Sequence, residues 1–190
     1  MDSGNRIVSS EAEELIVVDA EDRETGFLSK AQCHDGGGVL HRAFSVFLFN
    51  NAGELLLQQR SESKRLWPGY WSNTCCSHPR RGESLQEATK RRLRDELGIA
   101  SSLEFIYKFS YRVEFDAEGS EYELCHVFLG ETGDTVRPND SEITAIRFIP
   151  ADLLLAEIEQ TPERFTPWLK MEWIMLLDDY RDVLGRYCNV

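Results

Sequence analysis

The sequence predicts a single α/β domain, on three observations. Its 190 residues, 42% of them hydrophobic, suit one domain that buries most of its apolar surface. Strand-like runs and helix-like stretches are interleaved along the chain rather than segregated. No linker, internal repeat or low-complexity tract divides it.

The elements follow in order. ELIVVDAED (14–22) is a short apolar run closing in polar turn residues and reads as a strand. Gly26 and then HDGGGVLH (34–41) break the pattern, and three consecutive glycines predict a flexible loop. AFSVFLFN (43–50) is a strand whose near-continuous apolarity predicts cover on both faces. NAGE (51–54) reads as a hairpin turn and LLLQQR (55–60) as the return strand. Residues 61–83 form a long irregular segment with two prolines and two glycines, and loops of that length in a compact domain are usually functional. SLQEATKRRLRDELGI (84–99) predicts a helix, with Ser84 as N-cap, Glu87 at the capping-box position and Gly98 as its stop. Leu85, Ala88, Leu93 and Leu97 give its apolar stripe. Segments 103–115 and 122–130, parted by DAEGS, predict a second hairpin, and TAIRFIP (144–150) another strand. Pro150 opens the helix ADLLLAEIE, and Thr166-Pro167 opens a long helix reaching about Leu184. Residues 1–12 match no pattern and are expected to be a mobile segment ahead of a domain at 13–190.

The balance of 21 Lys+Arg against 33 Asp+Glu gives a formal charge of −12. Such acidity repels polyanions and argues against nucleic acid or an anionic membrane as partner. A single anionic substrate would need a local counter-charge, from a metal or a cationic cluster. No apolar run approaches the roughly 20 residues of a spanning helix. The start MDSGNRIVSSEAEE lacks the basic and apolar regions of a secretory signal, which points to a cytosolic chain. Five cysteines, at 33, 75, 76, 125 and 188, are an odd number with one adjacent pair. They predict metal-binding, catalytic or merely buried thiols rather than a disulfide framework.

His34 and His41 flank the triple glycine, and His78 lies in the long loop two residues after Cys76. Three imidazoles in irregular segments beside acids and thiols, joined by carboxylates, would suit a divalent first-row metal. His126 falls inside an apolar strand and reads as structural. Glu121 and Glu123 are two apart at a strand's start, so both carboxylates share one face. They read either as a solvated face or as a pair for a metal or acid–base work. Cys75 or Cys76 could have a perturbed thiol, and the residues alone do not choose between them. Glu96 lies one turn after Arg92, the spacing of an intrahelical salt bridge.

The spacing from Ser77 through Glu83, Arg91, Leu93 and Glu96 to Gly98 and Ile99 resembles a degenerate Nudix box. Ser77 stands for its first glycine, Arg92 for a glutamate and Asp95 for the first of the paired glutamates. In Nudix hydrolases those helical glutamates hold the metals that activate water, and with Arg92 that cluster is incomplete. The wider pattern is HxxxxxxH-x-AFS (34–45), WPGYWSNTCCSHP (67–79), RRLRDELG (91–98), FSYR (109–112), EYELC (121–125) and FTPWLKM (165–171). Together, from about Leu15 to Trp173, it resembles type 1 isopentenyl-diphosphate delta-isomerases.

That resemblance implies a Nudix-type α/β/α sandwich around a mixed sheet, and migration of a double bond from isopentenyl to dimethylallyl diphosphate. It implies His34, His41, His78, Glu121 and Glu123 as ligands of Mn²⁺, Mg²⁺ or Zn²⁺. It implies Cys76, not Cys75, as a catalytic group with Glu123 as the second acid or base. Tyr111 would position Glu123, and Trp168 would face the substrate. Glu96 would hold a Mg²⁺ bound with the substrate's diphosphate, and Lys30, Arg60, Lys64 and Arg92 would bind that diphosphate. Arg92 thus reads as a salt-bridge partner or as a diphosphate clamp, the clamp being favoured. The expected partner is a small diphosphate, with no nucleic acid or membrane, and the chain a monomer or weak dimer. A Nudix pyrophosphohydrolase and a non-catalytic metal-binding module are the alternatives.

Overall fold

The computed structural model describes residues 7–189. β1 (Glu14–Val18) and β2 (Glu24–Ser29) form an antiparallel hairpin, where sequence patterning extends one strand over 14–22. Asp19 closes that turn by accepting the backbone N–H groups of Glu21 and Arg23. β2 escapes prediction because ETGFLS is half-exposed throughout and shows no apolar alternation. The short helix α1 (Lys30–His34) follows, started by a reciprocal Ser29–Gln32 capping box. Five residues are too few for a helical period to show.

The triple glycine forms a held turn instead of a flexible loop. Ser120 Oγ donates to the Gly36 carbonyl at 2.7 Å, and Val39 N–H bonds back to Cys33 O. Gly38, at φ 72°, occupies the left-handed region that a side chain disfavours.

β3 (His41–Phe49) is the centre of the sheet. Phe44, Val46 and Leu48 point to one face and Phe47 and Phe49 to the other, all fully buried, as its continuous apolarity predicts. It pairs in parallel with β8 (Gly119–Glu131), from His41↔Glu123 to Phe49↔Glu131, and antiparallel with the short β6 (Cys75–Ser77). β8 pairs antiparallel with β7 (Leu103–Phe115), the second predicted hairpin.

The first predicted hairpin is only a corner. Asn50 Oδ1 ties the turn by accepting from Ala52 and Glu54 N–H, but β3 meets β4 (Glu54–Arg60) at Phe49↔Leu55 alone. β4 then diverges to pair with β9 (Ile143–Pro150) and with β5 (Trp71–Ser72). Among the described residues this makes one mixed sheet of nine strands.

Helices cover both faces. α2 (Leu85–Leu97), capped by Ser84 and ended by Gly98 as predicted, buries Ala88, Leu93 and Leu97 against Phe44, Val46, Leu48 and Leu56. On the other face α3 (Ala151–Gln160), α4 (Pro167–Asp178) and α5 (Arg181–Leu184) bury Leu154, Ile158, Leu169, Trp173 and Leu184 against Phe47, Phe49, Leu55 and Leu57. Each such side chain contributes about 1.5–3 kcal/mol by leaving water. The single C-terminal helix expected from sequence is broken at Asp179-Tyr180. The break lets the Tyr180 ring stack on Tyr107, with centroids 4.6 Å apart, and turns Leu184 into the core. The layers are therefore α/β/α, in one domain.

Candidate active site

Four elements meet at one end of the sheet. α1 delivers His34 from its last turn, β3 delivers His41 as its first residue, and the segment after β6 delivers His78. β8 presents Glu121 and Glu123 on one face, as alternation predicts, with Glu123 directly opposite His41 in the parallel register. The approach of α1 to β8 requires Gly119 (φ 150°): a Cβ there would lie 2.4 Å from the His34 carbonyl oxygen. The five ligand atoms lie within 4.8 Å of one another, and all five residues are buried.

The orientation of the imidazoles is fixed from behind. His34 Nδ1 donates to Lys30 O and His41 Nδ1 to Val39 O, each at 2.7 Å. Those bonds leave both Nε2 atoms aimed at the centre. Among the described residues His41 Nε2 has no hydrogen-bond partner, and His34 Nε2 pairs with Glu121 Oε2 at 2.7 Å. Burial pushes His41 down to about 4 and His78 well below the usual imidazole range, so both stay neutral. Burial pushes Glu121 up, but the positive charge of His34, whose own pKa this carboxylate raises, more than offsets it and holds the carboxyl at about 2. An unpartnered nitrogen on neutral His41, facing a cluster of imidazoles and carboxylates, is what a divalent metal ion coordinates. The donor set fits such an ion.

This cluster forms one wall of a cavity of about 350 Å³, within the size range of small-ligand sites. Cys76, Tyr111, Glu123 and Trp168 line it as well. Tyr111 O–H donates to Glu123 Oε2 at 2.7 Å, and His78 Nε2 meets Oε1 at the same distance. Burial and the charge of Glu121 push the Glu123 carboxyl well up. The Cys76 thiol donates to Asn73 Oδ1 at 2.7 Å. Its sulfur lies 3.2 Å from the Trp168 indole N–H and 3.5 Å from Ser45 Oγ. Burial, reinforced by Glu172, pushes the Cys76 thiol far up, so it rests protonated.

The cavity is also lined by cations. Lys30, Arg60, Lys64 and Arg92 all line it, and Arg65, which sequence patterning did not single out, joins them. Arg60 is held by the carbonyls of Leu66 and Trp67, with its guanidinium carbon 5.2 Å from the Trp168 ring centre. From residues 7–12, Ile7, Ser9 and Glu11 line the same cavity. Val8 O accepts from Arg92 and Arg80, Ser9 Oγ accepts from Lys30 at 3.0 Å, and Glu11 pairs with Lys30. The part of the 1–12 segment that is described is therefore hydrogen-bonded to the domain; residues 1–6 lie outside the described residues.

With this geometry in place, similarity to known proteins is specific. Residues 39–169 match the NUDIX domain. The chain is 42% identical over 174 residues to isopentenyl-diphosphate Delta-isomerase 1 of Photorhabdus laumondii, covering 90% of this chain and 99% of that protein. It is 44% identical over 156 residues to the isopentenyl-diphosphate Delta-isomerase of Burkholderia multivorans, covering 82% and 88%. The chain belongs to the isopentenyl-diphosphate Delta-isomerase family of NUDIX-domain proteins. A solved structure from Deinococcus radiodurans, 22% identical with a TM-score of 0.67, covers 93% of this chain and all of that one, and shares the fold.

The isomerase resemblance implies Glu96 as the holder of a separate Mg²⁺ bound with the diphosphate, not as a member of the five-donor set. Glu96 is buried and is absent from both the five-donor cluster and the cavity lining. Its Oε1 accepts from Arg92 Nε at 2.6 Å, the intrahelical pair that their spacing predicts. Arg92 also reaches Glu142 at 3.0 Å, and Lys64 pairs with the same Glu142. Arg92 is thus salt-bridged, and it also lines the cavity. His126 bonds Asp22 and the Ala43 carbonyl and, as read from sequence, is structural. Cys33, Cys75, Cys125 and Cys188 are buried with thiols pushed up by burial. Asn73, Ser45 and Glu142 were not anticipated. They are ordinary polar residues in sequence, and only the tertiary packing sets them against Cys76 and Arg92.

Proposed function

We propose that this protein moves the double bond of isopentenyl diphosphate to give dimethylallyl diphosphate. The observation that carries the reading is that Cys76 and Glu123 line the same cavity as Lys30, Arg60, Lys64 and Arg92. The cations would hold the diphosphate by charge-assisted hydrogen bonds, leaving the five-carbon tail beside Cys76 and Glu123. Protonating an unactivated alkene at its terminal carbon leaves a tertiary cation, and a proton must then leave carbon 2. One group of the Cys76–Glu123 pair gives the proton and the other takes one. The Trp168 ring, 3% exposed, would stabilise the cation through its face while the closed walls keep out water that would trap it. Tyr111 would orient Glu123 by its hydrogen bond to Oε2.

A divalent ion (Mn²⁺, Mg²⁺ or Zn²⁺) held by His34, His41, His78, Glu121 and Glu123 would supply positive charge that tunes the proton affinity of Glu123. The Mg²⁺ expected with the diphosphate would draw on Glu96, whose carboxylate is engaged by Arg92. The same reading takes the protein as a cytosolic monomer or weak dimer. Among the described residues, no helix is long and apolar enough to cross a membrane.

The test incubates variants with labelled isopentenyl diphosphate and measures the acid-labile allylic product. Cys76→Ser and Glu123→Gln are each expected to lose at least about 10²–10⁴-fold in rate, while Cys75→Ser retains activity. Full activity in either of the first two overturns the roles. Phosphate release from nucleoside diphosphate derivatives would favour the hydrolase reading, and no turnover of either substrate the non-catalytic one.

A further inference from the structure

Cys76 stands at the end of a run of buried polar side chains that the chemistry above does not use. Between β5 and β6 the chain passes through Asn73 and Thr74, both fully buried, where β4 parts from β3. Thr74 Oγ1 accepts from the Leu48 N–H of β3 at 2.9 Å and donates to the Leu56 carbonyl of β4 at 2.7 Å, so it bridges the parted strands. Asn73 is tied to β3 as well, its Nδ2 donating to the Val46 carbonyl at 3.2 Å. That bond fixes which way the amide faces. Turned end for end, it would set its oxygen against the Val46 oxygen, acceptor against acceptor.

The amide oxygen is thereby left for other donors. Asn73 Oδ1 accepts from the Cys76 thiol at 2.7 Å and from the Ser72 hydroxyl at 3.1 Å. With its one proton committed to Asn73, Ser72 Oγ serves as an acceptor. It takes the Trp168 indole N–H at 2.9 Å and the Thr166 hydroxyl at 3.1 Å. The same indole N–H is 3.2 Å from Cys76 Sγ. One amide thus anchors the thiol directly and the indole through Ser72, although Asn73 does not itself line the cavity.

We propose that Asn73 is a positioning residue that holds the Cys76 thiol, and through Ser72 the Trp168 ring, in place for the substrate. The inference rests on the role of Cys76 given above, and it holds whether Cys76 gives or takes the proton. A thiol is a weak donor, and packing alone leaves its hydrogen undirected. The acceptor at 2.7 Å gives that hydrogen one resting direction and the sulfur one place beside the indole. Only an amide serves both ends of this residue. A carboxylate would accept from Cys76 but oppose the Val46 carbonyl with an unpaired charge, and an aliphatic side chain would do neither.

The experiment takes two readouts on the metal-loaded enzyme. An infrared difference spectrum against the matching Cys76→Ser protein isolates the S–H stretch of Cys76. In the native protein that band is expected below the frequency of an alkanethiol in an apolar solvent, as a hydrogen-bonded thiol requires. Asn73→Leu is expected to move the band up to the free value. It is also expected to lower kcat for isopentenyl diphosphate by about tenfold to a hundredfold, with KM held within about threefold. Thr74→Val removes the neighbouring bridge between β3 and β4 without touching Cys76. It is expected to lower Tm while leaving the band and kcat near native. A native band at the free-thiol frequency overturns the proposal, even if Asn73→Leu does not fold. So does a folded Asn73→Leu with an unshifted band or a native kcat, or an equal loss of kcat in Thr74→Val. Cys76→Ser separates the two claims: if it is inactive while Asn73→Leu keeps native kcat, only the role of Asn73 fails. If it is active, the reading of Cys76 fails, and the proposal with it.

Discussion

Replacing Arg92 by Met tests how much of this site is held by one guanidinium. The Arg92 side chain is 4% exposed, and so is each of its two carboxylate partners, Glu96 and Glu142. Burial disfavours its charge, but the two carboxylates reverse that and bind its proton more tightly than usual. In Arg92→Met, Glu142 keeps Lys64 while Glu96 loses its guanidinium altogether. Breaking a buried pair from one side costs about 3–5 kcal/mol. At about 2–4 °C per kcal/mol for a domain of this size, Tm is expected to fall by roughly 6–20 °C. Losing a charged hydrogen bond to the diphosphate, about 1.5–3 kcal/mol, should raise KM about tenfold to a hundredfold. The double variant Arg92→Met/Glu96→Gln removes the orphaned charge, so it should regain much of the stability but none of the substrate affinity. Urea denaturation and steady-state assays on the three proteins decide it. Stability within about 1 kcal/mol of native in Arg92→Met, or a native KM in the double variant, would refute the reasoning.

Removing the metal should act on folding as well as on turnover. An ion at about a hundred times its Kd contributes about 2.7 kcal/mol, so exhaustive chelation should lower Tm by roughly 5–10 °C and abolish isomerisation, with both restored by Mn²⁺, Mg²⁺ or Zn²⁺. Identical melting curves would argue against the metal site. In the metal-stripped protein, His41 has a folded pKa of about 4 against an unfolded value of 6.5. The native state then binds fewer protons than the unfolded one, so stability should fall as pH drops from 6.5 toward 4, and His41→Gln should flatten that slope in urea midpoints. Tyr111→Phe removes the 2.7 Å hydrogen bond to Glu123. It should lower kcat about tenfold or more while leaving KM near native, and a native kcat would dismiss Tyr111 as a positioning residue.

The site was legible in the sequence to the extent that it uses local rules. Alternation alone put Glu121 and Glu123 on one face, and Gly-rich or Pro-rich surroundings set His34, His41 and His78 apart. Their convergence depends on the parallel register of β3 and β8, which sets His41 opposite Glu123 from far along the chain and which no local pattern encodes. The family resemblance supplied that link. β2 and α1 were missed because one is half-exposed and the other has five residues, so neither carries a hydrophobic period. The hairpin predicted at 51–54 has the right turn chemistry, yet β4 leaves β3 for β9, a choice made by long-range pairing. Glu172 was invisible for a related reason. In PWLKMEWIM a single glutamate reads as the wet side of a helix, but α4 is covered there by β3 and β8.

The acidic chain and its anionic substrate are reconciled on α2. In the hydrolase pattern this helix carries metal-holding glutamates. Here Arg92 occupies one of those positions and faces Glu96 and Glu142, while the metal donors stand on α1, β3, β8 and the segment after β6. On α2 a cation thus stands where the hydrolase pattern has a glutamate, and the five-residue cluster lies off this helix, at the end of the β3–β8 pair. Restoring a glutamate by Arg92→Glu should therefore not restore hydrolysis. It would set a third carboxylate beside Glu96 and Glu142 in a buried space where Lys64 remains as the cationic partner of Glu142. That cluster would unfold the region or take up protons before it organised a metal. A folded Arg92→Glu protein that released phosphate from nucleoside diphosphate derivatives would show that a single side chain, and not the relocation of the donors, separates the two chemistries.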